Sequence, residues 1–402
     1  MNILFLSIGE FDSIYQREIY PDLLREFVKH GHEVYVVSSS EKRRGKQTEL
    51  VDEGHAHLLK VQIGNITKTN LFEKGISTIM ISIHYKHAIK RYLSNKKIDL
   101  IMYSTPPITL DGVVKYAKNY YGAPTYLLLK DIFPQNAVDL EMFSKKGLKG
   151  IIYQYFRNKE KNLYDLSDYI GCMSYANVKY ILKNNTNIKN DRVEVCPNSI
   201  EPVDMRIDSD VKSNIRNKYG IPNDKKVLVY GGNLGRPQGL GFLMDCIRSQ
   251  VENENIYFLI VGDGTEYKQL EDFVTNEKTG NVKLMKRLPK DDYDKMIAAC
   301  DVGLIFLDHR FTIPNFPSRI LAYMQAALPV LAATDTSTDI GKVITDGEFG
   351  FWCESNDISG FSEIIKKIDT SDLLKLGENG RKYLEKYYTA ENAYAIIANR
   401  LK

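Results

Sequence analysis

Asp301-Val302-Gly303-Leu304-Ile305-Phe306 opens the stretch that decides the fold. Past a loop holding Pro314 it continues as Asn315-Phe316-Pro317-Ser318-Arg319-Ile320-Leu321-Ala322-Tyr323-Met324-Gln325-Ala326-Ala327-Leu328-Pro329-Val330. The first run is apolar and short, as a strand buried on both faces of a parallel sheet must be, and Leu328-Pro329-Val330-Leu331 opens another. A helix starting at Ser318 joins them, its first free N–H groups within reach of the serine hydroxyl. Arg319 then sits in the first turn, at the positive end of the helix dipole. Backbone N–H groups, a hydroxyl and a guanidinium at one point suit a phosphate. The plainer reading is a capping serine beside a solvated arginine.

The same strand–helix rhythm runs outward in both directions. In the first half, strands are expected at Asn2–Ile8, Glu33–Ser38, Ile98–Tyr103, Pro124–Leu129, Asp168–Met173 and Arg192–Cys196. Helices are expected over 21–30, closed by Gly31, and over Thr109–Tyr121. A polar stretch between Pro197 and Lys226 then interrupts the pattern, with a hinge expected near Asn198–Asp204. Beyond it come strands at Lys226–Tyr230, Ile256–Val261 and Val282–Met285, and helices at Gly239–Gln250 and Asp291–Ala299. At 402 residues the chain exceeds what one core usually supports, so two domains are expected, 1–200 and 201–385. Residues 386–402 are expected to form a last helix packing back on the first domain.

The second half begins Val227-Leu228-Val229-Tyr230-Gly231-Gly232-Asn233-Leu234-Gly235-Arg236-Pro237-Gln238-Gly239. A strand runs into a glycine-rich turn with one arginine, and a helix follows. Glycines let a backbone approach a ligand closely, although such turns also serve as plain connections. The turn lacks G-K-[ST] and is not G-x-G-x-x-G followed by an acid on the next strand. That next strand ends in Val261-Gly262-Asp263-Gly264, at the carboxyl edge where ligands collect in such sheets. Arg236 and Arg319 both start helices at this edge, so one diphosphate could be gripped by both.

Bulk composition excludes several classes. Apolar content of 43% and charged content of 26% are ordinary for a globular protein. No apolar run approaches the ~20 residues that span a bilayer, and the opening residues lack a basic leader. The five cysteines are scattered among apolar segments, which fits buried thiols in a reducing cytoplasm. Residues 1–200 hold 28 Lys and Arg against 21 Asp and Glu, the remainder 26 against 30. A basic first half favours phospholipid or phosphate-bearing partners, and nothing points to nucleic acid. Phe143–Tyr164 mixes lysines 145, 146, 149, 159 and 161 and Arg157 with aromatic and branched residues at near-helical spacing, as on a helix lying in a membrane interface. Lys42-Arg43-Arg44-Gly45-Lys46 adds a basic loop. The alternative for the helix is a core-facing stripe with a solvated basic face.

The order of glycine–arginine loop, Val-Gly-Asp-Gly turn, Ala299-Cys300-Asp301-Val302-Gly303 strand, Pro317-Ser318-Arg319 helix and Leu328-Pro329-Val330 strand resembles the donor domain of family 4 retaining glycosyltransferases. Gly31-His32-Glu33-Val34 agrees with it. Ser104-Thr105-Pro106-Pro107, Lys130-Asp131-Ile132-Phe133-Pro134-Gln135-Asn136-Ala137-Val138 and Pro197-Asn198-Ser199-Ile200-Glu201-Pro202 resemble the capsule and O-antigen branch, which includes N-acetyl-L-fucosamine transferases. The resemblance implies an α/β protein of GT-B fold, two Rossmann-like domains with parallel sheets facing across a cleft. It implies a UDP-sugar donor on the second domain, a lipid-diphosphate-linked saccharide acceptor on the first, retention of configuration, and no cofactor or metal. The enzyme would be cytoplasmic, with peripheral attachment at the inner face of the cell membrane allowed.

By the same resemblance Asp131, Arg236 and Arg319 would be catalytic. Gly232, Asn233, Gly235, Gly262, Gly264, Arg287, Leu288, Pro317 and Ser318 would join the two arginines around the donor. Gly9, Glu10, Asp12, Arg17 and Lys130 would meet the acceptor. The bland alternative for Asp131 is a helix cap or an ion pair with Lys130. Asp292-Tyr293-Asp294 imitates a metal-binding D-x-D but reads as a capping cluster. The chain also departs from the pattern. Ala322 stands where the family's ribose-binding glutamate is expected, Pro314 where its first glutamate falls, and Ala327 where a glycine precedes the last strand. Asn233 and Gln238 occupy the positions of the family's loop Arg and Lys. Two rivals are therefore a UDP-sugar 2-epimerase, for which His309 is the histidine near the donor edge, and a non-catalytic sugar-nucleotide-binding partner.

Overall fold

The computed structural model describes residues 1–66, 71–277 and 279–401, with the side chains of all of these but 71–79. The chain divides into two compact units, Met1–Glu201 with Ala390–Lys402, and Pro202–Thr389. Each is built on a sheet of apolar strands covered by helices on both faces.

In the first unit the strands are β1 (Asn2–Leu6), β2 (Glu33–Glu41), β3 (Glu49–Glu53), β4 (Ala56–Ile63), β5 (Leu100–Thr105), β6 (Thr125–Leu129), β7 (Tyr169–Cys172) and β8 (Val193–Val195). Their order is β3-β4-β2-β1-β5-β6-β7-β8, parallel except for β3, which pairs antiparallel to β4. Ile3, Leu4, Phe5 and Leu6 are all fully buried, which explains an unbroken apolar run rather than alternation. The β3–β4 hairpin and the helix Leu71–Tyr92 were not anticipated. Glu49–Glu53 is a polar edge strand whose pattern hides it, and Gly54, at φ +70°, makes its turn.

The second unit carries β9 (Lys226–Asn233), β10 (Ile256–Asp263), β11 (Val282–Met285), β12 (Val302–Phe306), β13 (Val330–Thr334) and β14 (Gly350–Glu354). The order β11-β10-β9-β12-β13-β14 is wholly parallel. From β9 the chain steps one way to β10 and β11, then returns to the other side for β12. Loops after β9 and β12 therefore diverge, and this is where a crevice forms in open parallel sheets. Register sharpens the divergence. β9 pairs with β10 to its end, Gly231, Gly232 and Asn233 facing Val261, Gly262 and Asp263. With β12 it pairs only at Leu228–Val302 and Val229–Gly303.

The gap between β9 and β12 is occupied by Tyr323, from the helix Arg319–Gln325. Its hydroxyl accepts from the amide of Gly231 at 3.3 Å and has the carbonyls of Val229 and Leu304 each at 3.1 Å as acceptors. The ring lies against Gly303, where a Cβ would stand 2.3 Å from it. One buried phenol thus replaces ladder bonds that the splayed strands cannot make.

Candidate active site

The residues expected at the donor meet at the carboxyl edge of β9, β10 and β12. Gly232 has φ +115°, a conformation open to glycine, and a Cβ there would meet nothing. Gly262 and Gly264 are needed for a different reason: Cβ atoms on them would stand 1.9 Å from the Gly232 carbonyl oxygen and 2.2 Å from that of Leu234. These glycines let two turns touch, so packing explains them without a ligand. Asn233 lies over Gly235, its Nδ2 3.1 Å from where a Cβ would project. Arg287 is exposed and Leu288 half-buried, on the loop after β11, two strands from β9.

Arg319 is held by two side chains, Gln238 and Tyr230. Its Nη2 donates to Gln238 Oε1 at 2.5 Å, and its guanidinium carbon stands 4.2 Å from the centroid of the Tyr230 ring. Gln238 Oε1 also accepts from the Tyr230 hydroxyl at 3.0 Å. Nη1 is buried without a hydrogen-bond partner. A sealed, unpaired donor on a charged group costs roughly 1–3 kcal/mol or more, which an anionic oxygen would recover. Gln238 belongs to the turn Arg236–Gln238, so both arginines flank one turn. They are not equivalent, however: Arg236 is 54% exposed, with its Nε 3.9 Å from Glu266 Oε1. Burial keeps the phenols of Tyr230, Tyr293 and Tyr323 raised and neutral, as hydrogen-bond donors. The Tyr293 hydroxyl is pressed on Gly231, where a Cβ would fall 1.6 Å from it. This tyrosine set and Gln238 were not foreseen; the available signal was a polar-tipped aromatic, Tyr230, inside an apolar strand.

Ser318 does not cap its helix. Its own dihedrals are already helical (φ −66°, ψ −13°) and its side chain makes no capping bond, because the turn begins on the Pro317 and Ser318 carbonyls. Pro317 and Ser318 therefore position Arg319 through the backbone. Asp292-Tyr293-Asp294 is also not a capping cluster: the helix Lys290–Ala298 has no side-chain cap. Asp294 is buried on Lys290 at 2.6 Å, and Asp292 lies 3.5 Å from Lys218. Among the described residues no group of three or more His, Cys, Asp and Glu side chains is arranged to hold a metal.

Asp335 follows β13 at the same edge. Its Oδ1 accepts from the amides of Ser337 and Thr338 at 2.8 and 3.1 Å, while Oδ2 is buried without a partner. Burial raises its pKa to about 6. The loop it shapes ties back to the segment before Arg319, since the Ser337 hydroxyl donates to Phe311 O at 2.9 Å and that of Thr338 to Asn315 O at 2.5 Å. Nearby, a cavity of about 340 Å³ is lined by Gly239, Phe242, Asp308, His309 and Asn356 among others. His309 Nδ1 lies 3.7 Å from the Asp308 carboxylate.

In the first unit, Asp131 follows β6 at the carboxyl edge. Its carboxylate accepts from Asn136 Nδ2 at 3.0 and 3.2 Å, and burial raises its pKa. It forms no pair with Lys130, whose ammonium turns inward to the Cys196 carbonyl at 2.9 Å, with its pKa lowered by burial. Lys130 is therefore spent on the fold rather than offered to an acceptor. On the loop after β1, the Gly9 amide bonds Ser7 Oγ at 3.1 Å. Glu10 pairs with Arg44, which also lies 3.6 Å from Asp12. Arg17 lies on the same loop and is likewise engaged within the protein. The basic loop 42–46 thus neutralises the acids expected at the acceptor.

Two family models account for most of the chain: Glycosyltransferase Family 4 matches residues 21–203 and Glycosyl transferases group 1 matches 211–383. The chain belongs to the family 4, group 1 glycosyltransferases. The "Probable glycosyltransferase WbjE" of Pseudomonas aeruginosa is 25% identical over 80% of this chain and 78% of its own. Among solved structures, sucrose-phosphate synthase from Thermosynechococcus elongatus superposes with a TM-score of 0.76 at 14% identity, covering 100% of this chain and 98% of that one. HepE of Anabaena, solved in complex with UDP-glucose, gives 0.70 at 17%, covering 100% and 99%. At those identities the two structures speak to fold, and the fold is GT-B.

For this glycosyltransferase, the departures seen in sequence acquire positions. Ala322 is half-buried on the helix that carries Arg319, so no carboxylate projects there. Ala327 takes φ +53°, the left-handed conformation that a glycine would adopt without strain.

Proposed function

We propose that this transferase moves a sugar from a UDP-sugar to a lipid-diphosphate-linked saccharide in capsule or O-antigen synthesis, with retention and without a metal. The sugar is an N-acetylated deoxyhexosamine such as N-acetylfucosamine, in keeping with the branch its Ser104–Pro107 and Lys130–Val138 motifs resemble. One observation carries the donor reading: Arg319, whose Nη2 is bonded to the turn after β9, keeps a buried Nη1 with no hydrogen-bond partner. A diphosphate oxygen satisfies that group, and Arg236, half-exposed across the same turn, supplies the second positive charge. Charge accumulates on the leaving diphosphate as the glycosidic bond breaks, and preorganised cations stabilise it without a bound ion. Asp131, with its raised pKa, accepts or orients the proton of the acceptor hydroxyl. HepE, with UDP-glucose bound, is a precedent within the fold.

The test is transfer from a panel of UDP- and GDP-sugars to lipid-linked acceptors, followed by NMR of the product anomer. UDP-dependent transfer with retained configuration, insensitive to a chelator, is expected. Ala322 favours a second reading, a sugar-nucleotide-binding partner without turnover. UDP binding with no transfer to any acceptor would establish that reading, and isomerisation of the donor without acceptor would identify an epimerase.

A further inference from the structure

From Met142 to Lys159 the chain carries Lys145, Lys146, Lys149, Arg157 and Lys159 and no acidic residue. The structure separates these into two groups. In the second half of the helix Gly147–Leu166 the arginine, one lysine and the large apolar residues turn inward, while Lys161 and Asp165 stay exposed. Arg157 pairs with Glu160 and donates to Asn185 Oδ1 at 2.7 Å, Lys159 reaches Asp111 at 2.9 Å, and Leu163 and Tyr164 are buried. The first half is different. Leu148 is 84% exposed and Ile151 67%, and Met142, Ile152 and Tyr155 are also exposed. Residues 148, 151, 152 and 155 recur at helical spacing, so they share one face. Beneath them Phe133, Phe143 and Phe156 form a ring cluster, Phe143 stacked on Phe156 at 5.8 Å, that fixes the helix start. Exposed Lys145, Lys146 and Lys149 surround the apolar face, Lys145 with its ammonium 5.5 Å from the Tyr153 ring.

A contiguous exposed apolar face of this kind marks an interaction site. Its basic rim decides the occupant. Lysine is depleted at protein–protein interfaces, and two copies of this face would repel one another. In a bilayer interface, lysines meet lipid phosphates while Leu, Ile, Met and Tyr enter the headgroup–acyl boundary. The helix also belongs to the crossover from β6 to β7, following the short helix Gln135–Asp139, and the end of β6 carries Asp131. We propose that Met142, Leu148, Ile151, Ile152 and Tyr155 form a wedge that inserts into an anionic membrane surface, with Lys145, Lys146 and Lys149 seated on the lipid phosphates. The purpose of this contact rests on the lipid-linked acceptor proposed above, but its test does not.

The test is flotation of the full chain with phosphatidylcholine vesicles, with and without phosphatidylglycerol, at low and high salt. The protein should float with anionic vesicles and be released by salt. Leu148→Glu with Ile151→Glu should weaken partition at least ten-fold. Lys145→Glu with Lys146→Glu and Lys149→Glu should weaken it about a hundred-fold, at roughly five-fold for each lysine lost. Both variants should keep the parent's melting temperature and UDP binding, because every changed side chain is exposed. Failure of the parent to float, or flotation of the glutamate variant like the parent, overturns the proposal. So does a dimer in solution that Ile151→Glu dissociates, which would give the face to a second copy. Normal flotation with no transfer to any lipid-linked acceptor would instead refute the function and leave the wedge standing.

Discussion

At the scale of single residues, Arg319 differs from every surface arginine in the chain because its environment was assembled before any ligand arrives. Tyr230 stacks on it, Gln238 orients it, and one N–H remains sealed and unused. Arg319→Ala should lower transfer by about 10²–10³, the usual loss when one preorganised donor to a developing anion is removed. The melting temperature should stay near that of the parent, and unchanged turnover would rule out the diphosphate role. Asp335 makes a pH prediction. Burial lifts its folded pKa to about 6, above the ordinary carboxylate range, so the folded state binds the proton more tightly than the unfolded chain does. The penalty is therefore present at and above about pH 6 and is relieved as pH falls through 6 toward 4. A rise of that size is worth about 3 kcal/mol at most. Asp335→Asn removes that dependence, so the parent should gain stability relative to the variant between pH 7 and pH 5. Parallel stability–pH curves for the two proteins would place the carboxyl elsewhere.

At the scale of elements, the helix Arg319–Gln325 does more than connect two strands. Tyr323 fills the gap between β9 and β12 and answers the Gly231 amide. Tyr323→Phe leaves that buried amide without an acceptor and should cost about 1–3 kcal/mol in denaturant unfolding. A loss of a few tenths would show that the splayed strands close on their own. Two residues past the same helix, Ala327 is held at φ +53°, with its carbonyl oxygen 1.8 Å from where a Cβ on Gly377 would stand. Ala327→Gly relieves the left-handed strain and should stabilise the second unit by up to about 1 kcal/mol. Destabilisation instead would mean that flexibility gained by the unfolded chain outweighs the strain.

At the scale of the whole molecule, the two units have separate cores, and the last helix is part of the first one's. Tyr394 stacks on His30 at 4.0 Å, meets Phe27 edge-on at 4.9 Å and bonds His32 Nε2 at 3.0 Å. Ile397 is fully buried beside them. Ile397→Ala should therefore destabilise the first unit by about 2–5 kcal/mol while the UDP affinity proposed for the second is unchanged. The measurement is a thermal melt beside a UDP titration. A matching drop in affinity would show that the two cores are not independent.

The sequence by itself determined the architecture, because strands buried on both faces must read as apolar runs, and such runs alternate here with amphipathic helices and glycine or proline stops. It also located Arg236, Arg319 and the glycine turns, since those residue types have few other uses at a strand's carboxyl end. What only the tertiary structure decided is how each is used. Gly262 and Gly264 answer contact between two turns, Lys130 points inward, Ser318 leaves its helix uncapped, and Glu10 and Asp12 are neutralised by an arginine more than thirty residues away. The tyrosines around Arg319 were hidden for the same reason, whereas the basic, apolar stretch Phe143–Tyr164 was legible and only its division into an exposed first half and a second half that buries Leu163 and Tyr164 was not. Local pattern reports which residues want burial or charge, whereas the partner that satisfies each one comes from a distant part of the chain and exists only once the sheet has closed.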